Sequence, residues 1–260
     1  MAGALNQGDL CQYSSQKYEA LIELQGKPMV EYVVRETQKA ERIDNIVVVG
    51  PDELAVELPG SLLQDLQLVT SENSLLRNVQ KGVEKLDGQG YVLLMTGDIP
   101  LIRSWIIDEF IKASLPLTAK KTYEVFYPLI SIESCYQKYP GTVRTSFSLA
   151  EGEFTAGNLI VIKREILPSL LGLLEKLVSW RKKPVKLVRL LGFVCLLKYI
   201  FGSLAIQDIE KRIKEITDVS LKGMVMEFPE IGFDIDKQKD LEYICENIDL
   251  SRTIKSKDRP

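Results

Sequence analysis

The chain has 260 residues, of which 45% are apolar and 27% charged, and this composition is typical of a globular protein. Its net charge of −3 and isoelectric point of about 5.4 argue against a general electrostatic grip on nucleic acid. The sequence contains no histidine, which excludes Ser-His-Asp and Cys-His nucleophiles and the usual histidine-containing zinc sites.

The cysteines and the longest apolar run bear on the compartment. The four cysteines form no CxxC pair, which is typical of isolated thiols in a reducing, cytoplasmic compartment, and we expect no signal or transit segment. The run from Leu187 to Ile206 is interrupted by Arg189, Lys198 and Gly202, whereas a membrane-spanning helix needs about 20 mostly apolar residues. A buried helical segment is therefore favoured here, and a membrane contact stays open.

Strand-like and helix-like segments alternate through the first part of the chain. The strand-like runs are short and apolar, and the helix-like runs carry apolar residues at helical spacing. This alternation predicts a parallel, right-handed α/β sheet that binds ligands at the carboxyl ends of its strands. The predicted strands are Asn45–Gly50, Leu66–Val69 and Gly90–Gly97, and the predicted helices are Met29–Ala40, Ser74–Leu86 and Ser104–Ser114.

The remainder of the chain has a looser pattern. Residues 164–220 are mostly helical and apolar in pattern, as an insertion or a lid would be. We therefore predict one domain over residues 1–250 with a helical insertion at about 164–220, followed by a flexible tail at 251–260. The other predicted elements are the strands Val125–Ile132, Asn158–Ile162 and Met224–Phe228 and the closing helix Asp240–Ile248.

Asp98 follows the most apolar of the predicted strands. Residues 93–101 read Leu-Leu-Met-Thr-Gly-Asp-Ile-Pro-Leu, and the proline stops the strand. The carboxylate is therefore predicted to project at the ligand edge of the sheet, where hard cations and phosphates meet. The alternative is that Asp98 is only a turn residue ahead of the proline.

A second group of carboxylates lies near the C-terminus. Residues 233–241 read Phe-Asp-Ile-Asp-Lys-Gln-Lys-Asp-Leu, and an extended chain would place Asp234 and Asp236 on the same face. Carboxylates from distant parts of a chain commonly hold Mg²⁺ against substrate phosphates. The alternative for Asp236 is that it caps the following helix, with Asp240 in the first turn.

The N-terminal stretch is a candidate phosphate site. Gly3, Asn6 and Gly8 can present backbone amides to an anion, although they form neither a GxGxxG motif nor a Walker A loop. Lys17 follows, and Lys27 stands just before the first predicted helix, where a lysine is well placed to meet a phosphate. The alternative for each lysine is a solvated surface position. No strand is predicted ahead of the loop, whereas a phosphate-binding loop is usually anchored by one.

A basic cluster precedes the long apolar run. It reads Arg-Lys-Lys-Pro at 181–184 and continues with Lys186 and Arg189. Its functional interpretation is contact with an anionic acceptor, or with lipid headgroups beside an amphipathic helix. The alternative is a solvated loop.

These motifs, in this order, resemble the MobA-like NTP-transferase group, whose fold is a GT-A-type, Rossmann-like α/β sandwich with a mostly parallel sheet. The group's Gly-Lys-Pro-Met helix start is matched at 26–29, and its strand-ending metal ligand at 96–101. Its Gly-Asn before a later strand corresponds to Gly157 and Asn158, and its closing Asp-x-Asp motif to 233–241.

The resemblance implies roles for individual residues. Asp98 and Asp236 would hold Mg²⁺ or Mn²⁺, Lys27 would act in catalysis, and Gly157 and Asn158 would bind the acceptor. The residues that would bind the nucleotide are Ala2, Gly3, Ala4, Asn6, Gly8, Lys17, Lys27, Asn73, Ser74, Asn78 and Gly97.

Three departures from the group's pattern concern the phosphate side. The first strand is absent, the Gly-Gly of the loop is replaced by Gly3-Ala4, and the position of the group's lysine falls on Glu19, which leaves Lys17 as a substitute. These changes bear on catalytic competence, since the loop and the lysine neutralise the triphosphate in the group.

The predicted function is metal-dependent transfer of a nucleotidyl group from an NTP to a small acceptor that bears a phosphate or a hydroxyl, with release of pyrophosphate. A GT-A glycosyltransferase, which would release a nucleoside diphosphate, is one alternative. A non-catalytic nucleotide sensor, suggested by Glu19 and the altered loop, is another. No nucleic-acid partner is expected, and the base, the acceptor and the oligomeric state are not readable from the sequence.

Overall fold

The structure, a computed structural model, describes residues 1–7, 9–114, 123–170 and 192–250. It contains two compact units that are interleaved in sequence. The first unit comprises Met1–Gly88, Met95–Ala113 and Phe233–Pro260, and the second comprises Gln89–Leu94 and Ser114–Gly232. The single domain over 1–250 stays a prediction, and the predicted tail at 251–260 lies outside the described residues.

Helices and strands alternate in the described chain, which confirms the α/β class. The helices are α1 Met29–Lys39, α2 Leu54–Glu57, α3 Gly60–Leu63, α4 Leu75–Glu84, α5 Ser104–Ser114, α6 Ile132–Lys138, α7 Phe193–Ile200, α8 Ile206–Thr217 and α9 Gln238–Asn247. The strands are β1 Glu23–Leu24, β2 Lys27–Pro28, β3 Val47–Gly50, β4 Gln67–Thr70, β5 Tyr91–Met95, β6 Val125–Ser131, β7 Phe147–Leu149, β8 Gly152–Ala156, β9 Leu159–Lys163 and β10 Leu221–Met226.

In the first unit, β3 and β4 run parallel, as predicted, with Val47 opposite Gln67. β1 and β2 form a hairpin that the sequence reasoning missed. Gln25 and Gly26 occupy its two turn positions with φ of 48° and 82°, the positive values of a type I′ turn. The hairpin leads directly into α1, whose Val30 packs into the core that surrounds β3.

The second unit has a mixed sheet, which corrects the prediction of a mostly parallel one. Its central strand β6 pairs in parallel with β10, and antiparallel with β8 and β9. β7 and β8 also pair antiparallel across the short connection at Ala150 and Glu151. A connection of two residues can only reverse the chain, because a parallel pair needs a crossover of about a dozen residues.

The helical character predicted for 164–220 is present in its described part, where α7 and α8 lie. Cys195, Leu204 and Ile206 pack against Leu129 and Phe154 of the sheet. Residues 171–191, with the basic cluster at 181–189, lie outside the described residues. Within the described chain, no helix combines the length and the hydropathy required to cross a bilayer.

Candidate metal and nucleotide site

Asp98 follows β5 as predicted, and tight packing fixes the residue before it. The amide of Gly97 donates to the carbonyl oxygen of Met1 at 2.8 Å. A β-carbon on Gly97 would lie 3.2 Å from the same oxygen and 3.4 Å from Val30 Cγ2. The backbone that leads to Asp98 therefore has little freedom, which limits where the carboxylate can lie.

The segment that carries Asp234 and Asp236 is held extended by its neighbours. Phe233 and Ile235 are 2% and 0% exposed, whereas Asp234 and Asp236 are half-buried, so the side chains alternate as the sequence predicted. The amide of Ile235 donates to the carbonyl oxygen of Asp98 at 3.0 Å. This bond joins two segments that are more than a hundred residues apart in the sequence.

The three carboxylates therefore form a cluster. One oxygen from each of Asp98, Asp234 and Asp236 lies within 4.8 Å of the other two. In an octahedral site the oxygens lie about 2.1 Å from Mg²⁺ and hence about 3 to 4.2 Å from one another, so this set fits a hard divalent cation. Three like charges at this spacing repel each other, and a bound cation would relieve the repulsion.

The helix-capping alternative for Asp236 is wrong. α9 begins at Gln238, and its N-cap residue is Lys237, so Asp236 lies one position too early. Asp240 does lie in the first turn, where it is buried. Asp234 was noted in the sequence for its alternation with Asp236 but was not assigned as a ligand, and this alternation is the signal that identifies it.

The first two residues join β3 to the end of β5. The Met1 amino group donates to Met95 O at 2.7 Å, and the amide of Ala2 donates to Val49 O at 2.7 Å. Burial lowers the pKa of the Met1 amino group to about 6, and the charge of Asp98 partly opposes the shift. No strand is assigned to these two residues. Their hydrogen bonds nevertheless hold the start of the predicted phosphate loop in place, as a preceding strand would.

The predicted phosphate loop is closed by local hydrogen bonds. Its two sides run antiparallel, with the Asn6 amide donating to Lys17 O at 2.9 Å and the Glu19 amide donating to Ala4 O at 3.1 Å. The Asn6 side chain donates to Ser14 O at 3.0 Å, so it holds the loop as well. Gly8 lies outside the described residues.

Close packing against Ser71 leaves no room for a side chain at Gly3. A β-carbon there would lie 2.6 Å from Ser71 Cβ, a distance that real side chains do not reach. Ala2, the residue before it, is 3% exposed and belongs to the core around β3. The start of the predicted loop is therefore locked against the end of β4.

Ser71 begins a segment that lines an open depression of about 500 Å³. Its lining residues are Ser71, Glu72, Asn73, Ser74 and Arg77. Of the predicted nucleotide ligands, Ser74 caps α4 by accepting from the Arg77 amide. Asn78 is buried and hydrogen-bonded to both backbone groups of Glu72, at 2.6 and 2.9 Å. Arg77 is a cation on this depression that the sequence reasoning did not single out.

The two lysines assigned to phosphate have partners in the protein. Lys27 Nζ lies 3.6 Å from the carboxylate of Glu31, which is buried and also paired with Arg35 at 2.8 Å. Lys17 is exposed, with its Nζ 5.0 Å from the centre of the Tyr18 ring. A hydrogen bond with Tyr18 raises the pKa of Lys17, so it stays charged.

The predicted acceptor residues lie in the second unit. The backbone amide and the side-chain amide of Asn158 both donate to Ile231 O, at 2.9 and 3.4 Å. A β-carbon on Gly157 would lie 2.5 Å from Pro128 Cγ. Both residues have a structural reason to be present, and their binding of an acceptor stays a prediction.

Several known proteins resemble this chain. The sequence model of the MobA-like NTP transferase domain matches residues 15–182. A mitochondrial 3-deoxy-manno-octulosonate cytidylyltransferase from Arabidopsis thaliana is 32% identical over 106 residues, which is 39% of this chain and 36% of that protein. The chain thus spans about a third of the length of that curated relative.

Two solved structures have the same fold as this chain. A hypothetical transferase from Thermus thermophilus has a TM-score of 0.76 at 29% identity, covering 92% of this chain and 96% of that one. A nucleotidyl transferase from Methanothermobacter thermautotrophicus has a TM-score of 0.54 at 16% identity, covering 96% of both chains, and it supports the fold alone. With a domain match over most of its length and the expected order of motifs, the chain belongs to the MobA-like NTP transferase family.

Proposed function

We propose that the protein is a metal-dependent nucleotidyltransferase that moves a nucleotidyl group from an NTP to a small acceptor and releases pyrophosphate. The observation that carries the proposal is the cluster of Asp98, Asp234 and Asp236, within 4.8 Å of one another, in a chain of this family. Carboxylates at this spacing suit Mg²⁺ or Mn²⁺, which would neutralise phosphate charge at the reacting centre when bound.

The residues around the cluster would position the triphosphate. The chain segment at Ala2 to Ala4 begins beside Gly97 and the depression begins at Ser71, so a nucleotide in the depression would direct its phosphates toward Asp98. Arg77 and Lys27 are the cationic side chains that would bind the phosphates. A phosphate acceptor is ionised at neutral pH, so the reaction needs no general base, which agrees with the absence of histidine.

For the base, we propose cytosine as the first choice. The support is the identity of 32% over 106 residues to an enzyme whose name states cytidylyl transfer.

The test is pyrophosphate release from each of the four NTPs, with and without Mg²⁺, in the presence of sugar phosphates and alcohol phosphates. We expect metal-dependent release, fastest with CTP, and a loss of about a hundredfold or more in Asp98→Asn. Asp65→Asn, which removes an exposed carboxylate elsewhere in the first unit, is the matched control and should retain full activity.

Two outcomes would overturn the proposal. Release of nucleoside diphosphate from an added nucleotide sugar, with transfer of its sugar to the acceptor, would establish the glycosyltransferase alternative. Thermal stabilisation by NTP without turnover of any acceptor would establish the sensor alternative.

A further inference from the structure

Asn78 is buried beside the segment that lines the depression. The residue is 4% exposed, so it has almost no surface to offer a ligand. Its side-chain oxygen accepts a hydrogen bond from the Glu72 amide at 2.6 Å, and its side-chain nitrogen donates to Glu72 O at 2.9 Å. The amide group of Asn78 therefore pairs with both backbone groups of one residue, as a neighbouring β-strand would.

Residues 71–74 are also held at their two ends. At the first end, the Ser71 amide donates to the carbonyl oxygen of the last residue of β3 at 2.7 Å and continues the pairing of β3 with β4. At the other end, the Ser74 side chain caps α4. Glu72 lies between these two points, and the hydrogen bonds from Asn78 fix its backbone. The segment is therefore shaped by the protein before any ligand arrives.

The side chains that this segment presents to the depression are polar. The Glu72 carboxylate is 42% exposed, and ion pairs with Lys81 at 3.2 Å and Arg77 at 3.7 Å restrict its position. Asn73 is exposed next to it. A carboxylate accepts hydrogen bonds from hydroxyl and amino groups, and an amide both donates and accepts, so this pair suits a ribose and a base.

Burial gives Asn78 a role other than the direct contact that the family resemblance implied. We propose that Asn78 is a positioning residue, which holds the backbone of Glu72 so that Glu72 and Asn73 bind the nucleoside part of the NTP. A segment that is fixed in advance loses little conformational freedom on binding, so the affinity for the nucleotide is higher. The inference rests on the proposed function, because it takes the depression to be the nucleotide site.

The test is calorimetric titration of the unchanged protein and of Asn78→Ala, in Mg²⁺, with the tightest-binding NTP, expected to be CTP, and with inorganic tripolyphosphate. The affinity of the variant for the NTP should fall about tenfold or more, because the nucleotide must then order the segment. The affinity for tripolyphosphate, which lacks the nucleoside, should change by less than about twofold. Pyrophosphate release at saturating NTP should be nearly unchanged, since loss of uniform binding raises KM and leaves kcat as it was.

Thr37→Ala is the matched control. Thr37 is also buried in the first unit, and its hydroxyl also donates to a backbone carbonyl oxygen, at 2.7 Å. The control should lose stability and keep its affinity for both ligands, which separates a general loss of stability from a loss of positioning.

Asn78→Asp extends the test without leaving a cavity. A protonated carboxyl group accepts and donates as the amide does, whereas an ionised one cannot donate to Glu72 O. Its affinity for the NTP, relative to that of the unchanged protein, should therefore recover as the pH falls from about 8 to about 6, because burial favours the protonated form.

Three results would overturn the inference: no loss of NTP affinity in Asn78→Ala, an equal loss for NTP and tripolyphosphate, or no recovery of Asn78→Asp at low pH. The proposed function fails separately. If the unchanged protein binds NTP, Asn78→Ala weakens that binding alone, and no acceptor yields pyrophosphate, the inference holds and the proposed activity does not. Failure of the unchanged protein to bind any of the four NTPs would overturn both.

Discussion

The carboxylate end and the phosphate end of the candidate site, both within the first unit, are built in different ways. At the carboxylate end, Asp98, Asp234 and Asp236 are concentrated within 4.8 Å and their backbones are tied by the Ile235 amide. At the phosphate end, Lys27 is paired with the buried Glu31. The resemblance of the motifs places the family's lysine at residue 19, which is a glutamate in this chain.

The comparison shows that the fold brings three carboxylates together, so that a bound cation is needed to balance their charge. The protein's own cation Lys27 already interacts with a carboxylate of the protein. A nucleotide bound here would therefore depend on the metal for most of the neutralisation of its phosphates. Substitutions at the carboxylate end should therefore strongly reduce activity. Substitutions at the phosphate end should have smaller effects, and an added cation there should strengthen NTP binding.

After Asp98→Asn, the largest effect is expected from Asp234→Asn. Loss of one of the three carboxylates should lower Mg²⁺-dependent turnover about a hundredfold, because an amide is a weaker ligand for a hard cation. In EDTA the same variant should be more stable than the unchanged protein by roughly 1 kcal/mol, because one like-charge repulsion is removed. Turnover assays and urea unfolding with and without Mg²⁺ measure both. Equal loss of stability in both conditions would mean that Asp234 serves the fold and not a metal.

The next largest effect is expected from Gly3→Ala, which tests how firmly the phosphate end is held against the end of β4. The new methyl group would lie 2.6 Å from Ser71 Cβ, so the start of the loop or the end of β4 must shift. We expect a loss of about 1–3 kcal/mol in the free energy of unfolding, together with weaker NTP binding. Gly60→Ala is the control, since nothing lies within 4 Å of its β-carbon and stability should not fall. An unchanged urea midpoint in Gly3→Ala would show that the loop is free to move.

The sequence was sufficient for the carboxylate end because two local patterns are strong there. The apolar run to Met95 followed by Gly97-Asp98 predicted a strand that ends in a carboxylate, and alternation predicted a shared face for Asp234 and Asp236. Only the meeting of the two segments needed the structure, since it depends on the bond between Ile235 and the Asp98 carbonyl.

Other features could not be predicted, because they arise from long-range contacts or from very short elements. The glycine requirement at Gly3 depends on Ser71, which is far away in sequence. The β1–β2 hairpin has only two residues in each strand, too few for a periodic pattern. In α7 both sides are apolar, so periodicity favoured a buried helix and could not show that one face is open to solvent.

A smaller effect is expected from Lys27→Ala. Because its ammonium already interacts with Glu31 at 3.6 Å, its loss should weaken NTP binding by less than about tenfold. Lys39→Ala is a matched control, as Lys39 pairs with the buried Glu36 on the same helix at 2.6 Å. Both variants should lose similar stability, and only Lys27→Ala should lose affinity. A loss of affinity above a hundredfold would place Lys27 directly on the triphosphate and make the two ends of the site equally critical.

The smallest effect, and one of opposite sign, is expected from Glu19→Lys. This substitution places a lysine where the family pattern has one, beside a loop whose Ala4 carbonyl already receives the Glu19 amide. We expect NTP to bind about three- to tenfold more tightly at low salt, with the gain shrinking as ionic strength rises, because the new attraction is between charges near solvent. Calorimetric titration measures it. Glu23→Lys, an equal change of charge at an exposed position of β1, separates a local effect from net charge. Equal tightening in both variants would mean that the phosphates do not lie near residue 19. Tightening in Glu19→Lys alone, without faster turnover, would mean that phosphate neutralisation limits binding and that the carboxylate end alone governs the chemical step.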